Sequence, residues 1–401
     1  MQVIVLGAGV TGLTTAWYLA ERGARVTVVD SAGDAGLGAT CGNAAQLSYS
    51  YTDSLATPDF VRRIPGLFVN SDPAVRVRMD PGLIGWGIEF LRNCTKRRAT
   101  DNTLSLLDVS MRSAELMDEL RSRVSFDFSH RKAGKLVLVS DQAGLRKAER
   151  LSALKRQRGC SIEVLTPAEA RSVEPALDAL ATEYVAAVWS ESDELADSLK
   201  FTQGLRHQLA ESGRAEFLFN ENVDRFIVED SRIVGAGGSG EHRGDAVVVC
   251  AGAWSGRLLK QIGIRARIRP MRGYSITLPP GDGAPSASIT SLKHRIAISR
   301  IDSRLRVSGF ADFRGFDTSR DDERLGELLS ISRRIAPAAA DYDAEGTRWG
   351  GFRPMTPNGL PLVGGTHIPG LYLNTGHGML GWTLACATGE AAASAVMGEQ
   401  Q

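Results

Sequence analysis

The chain has little with which to cross-link itself or hold a metal. Its 401 residues include five cysteines, Cys41, Cys94, Cys160, Cys250 and Cys386, scattered and without a CxxC pair. Such spacing suggests neither a disulfide framework nor a zinc site, and no metal is expected. No run of about 18 apolar residues is present to span a bilayer. The first apolar strand begins at residue 3, which leaves no room for a cleavable leader. Net charge is +1, from 47 basic against 46 acidic residues. With no basic stripe interleaved with aromatics, nucleic acid is not an expected partner. The unpaired thiols fit a reducing cytoplasm.

The chain does have length, apolar content (43%) and 43 glycines. That is enough for a large core and too much for one ordinary domain, so two domains or an interleaved pair are expected. The most informative stretch comes first. Val3-Ile4-Val5-Leu6 reads as a strand, Gly7-Ala8-Gly9-Val10-Thr11-Gly12 as a turn into a helix, and Val26 to Val29 as a second strand ending in Asp30. This is the dinucleotide-binding βαβ pattern. Gly7 permits the tight turn, Gly9 lets backbone approach a pyrophosphate, and Gly12 lets helix and strand pack. The helix start supplies amide donors and Asp30 an acceptor for a ribose hydroxyl. By itself the unit does not separate NAD from FAD.

From Ser31 to Gln46 the chain is small and glycine-rich, suited to backbone packed against a flat ligand. Residues 58 to 98 are basic, with Arg62, Arg63, Arg76, Arg78, Arg92, Lys96, Arg97 and Arg98 against Asp59, Asp72, Asp80 and Glu89. Within them Leu83, Ile84, Trp86, Ile88, Phe90 and Leu91 predict a short apolar helix. A solvated basic face over a packed helix is favoured there over docking on an anionic membrane. The spacing predicts an amphipathic helix over 101 to 122, a strand over 134 to 139, a helix over 142 to 158 and a capping box at Thr166 to Glu169. A helix over 197 to 212 leads to strands at 216 to 219 and 223 to 228. The apolar strand Ala246 to Cys250 then returns to the first sheet. Residues 265 to 316 alternate as an antiparallel meander, a helix covers 321 to 335, and a strand at Leu371 to Asn374 precedes a glycine turn and closing helix.

Several separate blocks, Thr40 to Gln46, Cys250 to Trp254, Gly351-Phe352-Arg353-Pro354-Met355-Thr356-Pro357, Asn374-Thr375-Gly376-His377-Gly378 and Leu380-Gly381-Trp382-Thr383, together with the opening pattern, resemble the D-amino-acid oxidase superfamily of flavoproteins. The resemblance runs from residue 1 to 398 and is greatest to the small subunits of bacterial D-amino-acid dehydrogenases. It implies an α/β (α+β) chain in which a Rossmann-like FAD-binding domain (1–80, 195–262 and 350–401) is interleaved with an antiparallel-sheet substrate domain (81–194 and 263–349). It implies FAD bound non-covalently, with pyrophosphate over Gly7, Ala8, Gly9, Val10, Thr11 and Gly12 and ribose at Asp30 and Ser31. Thr40, Asn43, Ala44 and Gln46 would lie by the flavin, Val223 by the adenine, and Ala251 and Gly252 close to the cofactor. The resemblance departs at Ala45, where many relatives have glycine.

In the same reading Gly376, Gly378, Met379 and Leu380 aim backbone donors at the pyrimidine end of the flavin, where negative charge develops on reduction. Arg353 is expected to clamp a substrate carboxylate with its planar fork, and Arg300 is a weaker second clamp. Tyr49, Tyr51 and Tyr274 are candidates to line or gate the pocket, and His377 to shape it, with acid-base work a lesser reading. The implied reaction is oxidation of a D-amino acid or imino acid, with electrons passed to a quinone or another acceptor. A partner subunit, and peripheral contact of residues 58 to 98 with the inner membrane, are lesser readings beside these. Alternatives are a related enzyme for glycine, sarcosine, an opine or hydroxyproline, and a flavin-binding subunit without catalysis.

Overall fold

The computed structural model describes residues 1–68 and 74–399. Asp72 of the expected basic segment lies outside the described residues. Along the chain the elements that frame the site are β1 (Gln2–Leu6), α1 (Val10–Glu21), β2 (Arg25–Val29), α2 (Pro81–Asn93), α3 (Lys96–Arg121), β3 (Lys135–Val139), β4 (Ala215–Leu218) and β5 (Ala246–Val249). They continue with β6 (Arg269–Leu278), β7 (Ser288–Ser291), β8 (Ile296–Ile301), β9 (Arg304–Phe313), β10 (Thr347–Met355), β11 (Leu371–Thr375) and α4 (Gly381–Met397).

Two sheets carry the architecture. In the first, β11, β5, β1, β2 and β4 run parallel in that order, with Leu362–Gly365 antiparallel at one edge. Its central strands are β-branched and almost wholly buried, as a sheet covered on both faces requires. One cover is α1, apolar around nearly its whole circumference, pressed against α4. Gly389 permits this approach: a Cβ there would stand 2.8 Å from Thr14 Oγ1. Thr14 in turn donates to the Ala385 carbonyl at 2.9 Å. Strand Val223–Glu229 belongs to a separate three-stranded antiparallel sheet.

The second sheet runs β10, β6, β9, β8, β7, β3, then Ala186–Ser190 and Glu163–Leu165. Its β6 to β10 part is antiparallel as expected, but only β7, β8 and β9 follow one another as a meander, since β6 lies between β9 and β10. The sheet as a whole is mixed, however, because β7 pairs parallel with β3 and β9 parallel with Val75–Val77. Strand period shows that a segment is extended and says nothing of its neighbour's direction, which the long connections decide. The expected boundary at residue 350 falls inside β10, whose partner is β6 of this sheet.

The predicted helix over 101 to 122 begins earlier, at Lys96, where Thr95 caps it through the Arg98 amide. The short apolar helix forms as α2, capped by Asp80. It buries Leu83, Trp86 and Phe90 and leaves Ile84, Ile88 and Leu91 exposed.

Candidate active site

The opening pattern folds as read. Gly7 has φ +110, and a Cβ on it would come within 2.6 Å of the Cys250 carbonyl oxygen. A Cβ on Gly12 would sit 1.8 Å from Gly7 O, so strand and helix meet at two glycines with no spare room. Gly9 differs: its Cβ would meet Thr40 Oγ1 at 3.6 Å and nothing nearer, which leaves open the volume a pyrophosphate needs. The turn lies at the carboxyl ends of β5, β1 and β2, where ligands of open α/β sheets sit. The first-turn amides of Thr11 and Gly12 have no acceptor inside α1 by their position in the helix. These residues fit an extended dinucleotide.

Asp30 closes the turn as well as facing it. Its Oδ2 accepts from the Ala8 amide at 2.6 Å and its Oδ1 from the Ala32 amide at 2.8 Å. Thr40 Oγ1 accepts from the Val10 amide at 3.1 Å. Ser31 is exposed beside Asp30, and Val223 packs in the apolar cluster that includes Ala251, next to Gly252 with φ +52.

The glycine-rich loop that follows is fastened on several sides. Asn43 Nδ2 donates to Ser198 Oγ at 2.7 Å, its Oδ1 accepts from the Ala45 amide at 2.8 Å, and its carbonyl accepts from Arg306 Nη1 at 3.0 Å. Trp349 lies on Gly42, where a Cβ would be 2.2 Å from the indole. Ala45 has φ +57, a left-handed conformation costing an L-residue about 1–2 kcal/mol. The departure from glycine at this position is thereby given its physical meaning.

Beyond the loop opens a cavity of about 530 Å³. Ala44, Gln46 and the Gly378-Met379-Leu380 turn form one wall, and a face of the second sheet, from Arg353 on β10 to Lys135 on β3, forms another. Met379 and Leu380 open α4 there. The Gly378 and Leu380 amides are already spent, on Pro354 O at 3.0 Å and His377 O at 3.1 Å. The expectation that both aim at a flavin is corrected accordingly. The donors left to this helix mouth are those of its first turn.

Arg353 reaches the cavity with its side chain half-buried, and Nη1 donates to the Phe310 carbonyl at 2.9 Å. That carbonyl is turned by a break in the β6–β9 register, where Phe310 takes φ +63. Gly273 is the floor beneath the guanidinium, since a Cβ there would lie 2.5 Å from Cζ. Among the described residues no carboxylate lies within 4 Å of Arg353. Burial pulls its pKa down to about 10, so the group is still cationic at neutral pH. A half-buried cation that faces a cavity with a fixed fork of donors suits an anion.

Three expected pocket residues do not reach the cavity. Tyr274 alternates to the opposite face of β6, where its hydroxyl donates to Asp312 Oδ2 at 3.0 Å beside buried Arg324. Tyr49 is in the core, its hydroxyl 3.4 Å from Glu194 Oε2. Arg300 points to solvent at the end of β8, where its Nε meets the Asp302 carbonyl at 3.4 Å. Strand alternation decides the first and last of these, and a one-residue change of parity was invisible without the register. Tyr51 does line the cavity.

His377 lines it as well, yet its ring is buried and Nε2 is 2.9 Å from Thr388 Oγ1. Burial pushes its pKa down to about 3, so the imidazole is neutral at working pH and serves as wall rather than as proton carrier. With a folded pKa below the unfolded value of about 6.5, this site's stabilisation is complete above that pH and is lost as pH falls toward 3. Melting temperature should therefore drop more between pH 7 and pH 5 in the wild type than in His377→Gln. Equal drops would show that the folded protein protonates this ring.

A family model described as FAD dependent oxidoreductase (DAO) matches residues 2–395. The chain belongs to this family of FAD-dependent oxidoreductases. It is 36% identical over 404 residues to a D-amino acid dehydrogenase of Paramagnetospirillum magneticum, covering 99% of this chain and 95% of the relative. It is 33% identical to one of Vibrio vulnificus, covering 100% and 97%. Among solved structures, glycine oxidase of Geobacillus kaustophilus superposes with a TM-score of 0.78 at 22% identity, covering 100% of this chain and 95% of that one. L-proline dehydrogenase of P. horikoshii gives 0.76 at 22%, covering 100% and 94%.

Within this DAO-family chain the structure adds residues that sequence reasoning missed. Arg306 pins the glycine-rich loop at Asn43, while Gly273 and the Phe310 carbonyl seat Arg353. A positive φ at phenylalanine leaves no trace in sequence. Lys135 did leave one: a lysine at the head of an otherwise apolar strand, on the same face as the cavity-lining Val137 and Val139.

Proposed function

We propose that the chain oxidises D-amino acids, with FAD across the fingerprint and the cavity and Arg353 as the substrate clamp. What supports this reading most is the half-buried guanidinium of Arg353, seated on Gly273 and facing the cavity without a carboxylate within 4 Å among the described residues. The naming of full-length relatives as D-amino acid dehydrogenases supports the substrate class.

Arg353 takes the α-carboxylate through two hydrogen bonds and so fixes both position and rotation of the α-carbon. When bound, FAD supplies the acceptor for the two electrons that leave with the α-hydrogen as hydride. Ala44, Gln46 and the Gly378 to Leu380 turn would hold the flavin ring, and the α4 dipole would favour the negative charge that the ring gains on reduction. The substrate enters as the free amine, its ammonium proton left to solvent on binding, and the apolar wall, including Met271 and Phe313, keeps water from the α-carbon while loss of hydride leaves the protonated imino acid. Hydrolysis then yields keto acid and ammonia. The electrons pass on to a quinone or another acceptor.

Mixed without oxygen with a small D-amino acid, the yellow holoprotein should lose its flavin absorbance, and the L-enantiomer should leave it unchanged. A spectrum unaltered by a panel of D-amino acids would remove this substrate class.

A further inference from the structure

A clamp at Arg353 fixes a carboxylate, and what lies beside the clamp decides which side chain can accompany it. Met271 on β6 is the cross-strand partner of Arg353 on β10, and both line the cavity. Opposed residues on neighbouring strands have Cβ atoms about 5 Å apart, so Met271 stands within one side-chain length of the clamp. The Gly378 to Leu380 turn meets the same wall, since a Cβ on Gly378 would lie 3.3 Å from Met355 Sδ. Met271 and Met355 belong to one buried apolar cluster with Phe313, Trp86 and Phe90. Apolar surface thus borders both the clamp and the turn. Lys135, by contrast, is on β3, five strands from β10. At about 4.8 Å per strand that is roughly 24 Å along the sheet, farther than one amino acid spans.

The apolar wall does not end with the cavity. A hollow of about 280 Å³ adjoins it, bounded by the helix Pro58–Phe68 and α2, and every described residue that lines the hollow is apolar. Leu55, Phe60, Val75 and Phe313 line both spaces, which places the junction between them. Aromatic rings make the hollow's floor. Phe60 stands edge-on to Phe90 with centroids 5.0 Å apart, Phe90 stacks on Trp86 at 5.1 Å, and Trp86 is 5.5 Å from Phe313. The polar atom of Trp86 is already engaged, its Nε1 donating to the Met355 carbonyl at 3.0 Å. A hydrocarbon side chain gains free energy there in proportion to the area it hides from water, whereas an amide or carboxylate would lose its hydration without a partner.

We propose that this hollow is the side-chain subsite, and that the preferred substrates are D-amino acids with large apolar side chains, branched aliphatic or aromatic. The proposal rests on the reading of Arg353 as the carboxylate clamp. With the carboxylate held there, the side chain runs along Met271 and Phe313 and enters the hollow between Leu55 and Phe60.

The test uses the FAD-loaded protein and substrates matched in shape. In anaerobic flavin reduction D-leucine should surpass D-alanine in kcat/KM by about tenfold to a hundredfold, the range expected for burying three further carbons. It should surpass D-asparagine, its near-isostere, by at least as much. Leu55→Asn should bring the leucine-to-alanine ratio down toward one, and Leu55→Met, which keeps the surface apolar, should retain it. Phe60→Asn makes the same test should Leu55→Asn not fold. Independently of turnover, perturbation of the flavin spectrum should show 4-methylpentanoate binding more tightly than propionate in the wild type and losing that advantage in Leu55→Asn. A leucine-to-alanine ratio near one in the wild type, D-asparagine equal to D-leucine, or a ratio intact in both asparagine variants gives the hollow another occupant and overturns the subsite. If no D-amino acid reduces the flavin, the proposed function falls, and the titration with the two carboxylates decides the subsite alone.

Discussion

Replacing Arg353 by alanine is expected to lower kcat/KM for a D-amino acid by roughly 30-fold to several thousandfold, equivalent to about 2–5 kcal/mol for loss of a buried charged pair. Flavin content and its visible spectrum should stay near those of the wild type, because Arg353 binds neither the fingerprint turn nor the glycine-rich loop. Lysine at this position keeps the charge and loses the fork, so Arg353→Lys should fall between. The seat explains why the effect is large. Phe310 O and Gly273 leave the guanidinium one orientation, and a carboxylate that binds it inherits that orientation. Stopped-flow reduction of the flavin measures the loss directly, and a near-normal kcat/KM in Arg353→Ala would remove this residue from the site.

The second large effect concerns two glycines three residues apart that should fail in different ways. In Gly12→Ala the new methyl would overlap Gly7 O at 1.8 Å, so α1 must leave its place against β1 and α4. Overpacking of this kind costs about 1–3 kcal/mol or more, and the variant should melt at lower temperature and purify largely without flavin. In Gly9→Ala the methyl has protein contact only at 3.6 Å, so the apoprotein should melt like that of the wild type. The methyl projects into the open volume of the turn, and FAD affinity should fall. Paired melting curves and FAD titrations of the two apoproteins separate the outcomes. Gly9→Ala binding FAD as tightly as the wild type would mean that no pyrophosphate lies over this turn.

Much of the fold was legible because its signals are local. The fingerprint glycines, the apolar strands Ala246 to Val249 and Leu371 to Asn374, and the meander alternation each express a backbone requirement that neighbouring residues reveal. Arg353 was legible for another reason: it lies within a block whose resemblance to known flavoproteins carries its position. Tyr49, Tyr274 and Arg300 were not, since a polar side chain on a strand looks the same whether it faces a cavity, the core or solvent. Only the pairing of β6 with β9 and β10 turns Gly273 toward Arg353 and Tyr274 away from it.

The sequence by itself determined that a dinucleotide turn opens the chain and that a flavoprotein of this family follows, and it singled out an arginine more than three hundred residues later. Tertiary structure alone decided what surrounds that arginine. It set the Phe310 carbonyl against it, tied the glycine-rich loop to Arg306, and buried Lys135 in the cavity wall with Asp193 acting on it. The physical reason is that covalent neighbours set backbone conformation, while burial and charge pairing depend on strands brought together from distant parts of the chain.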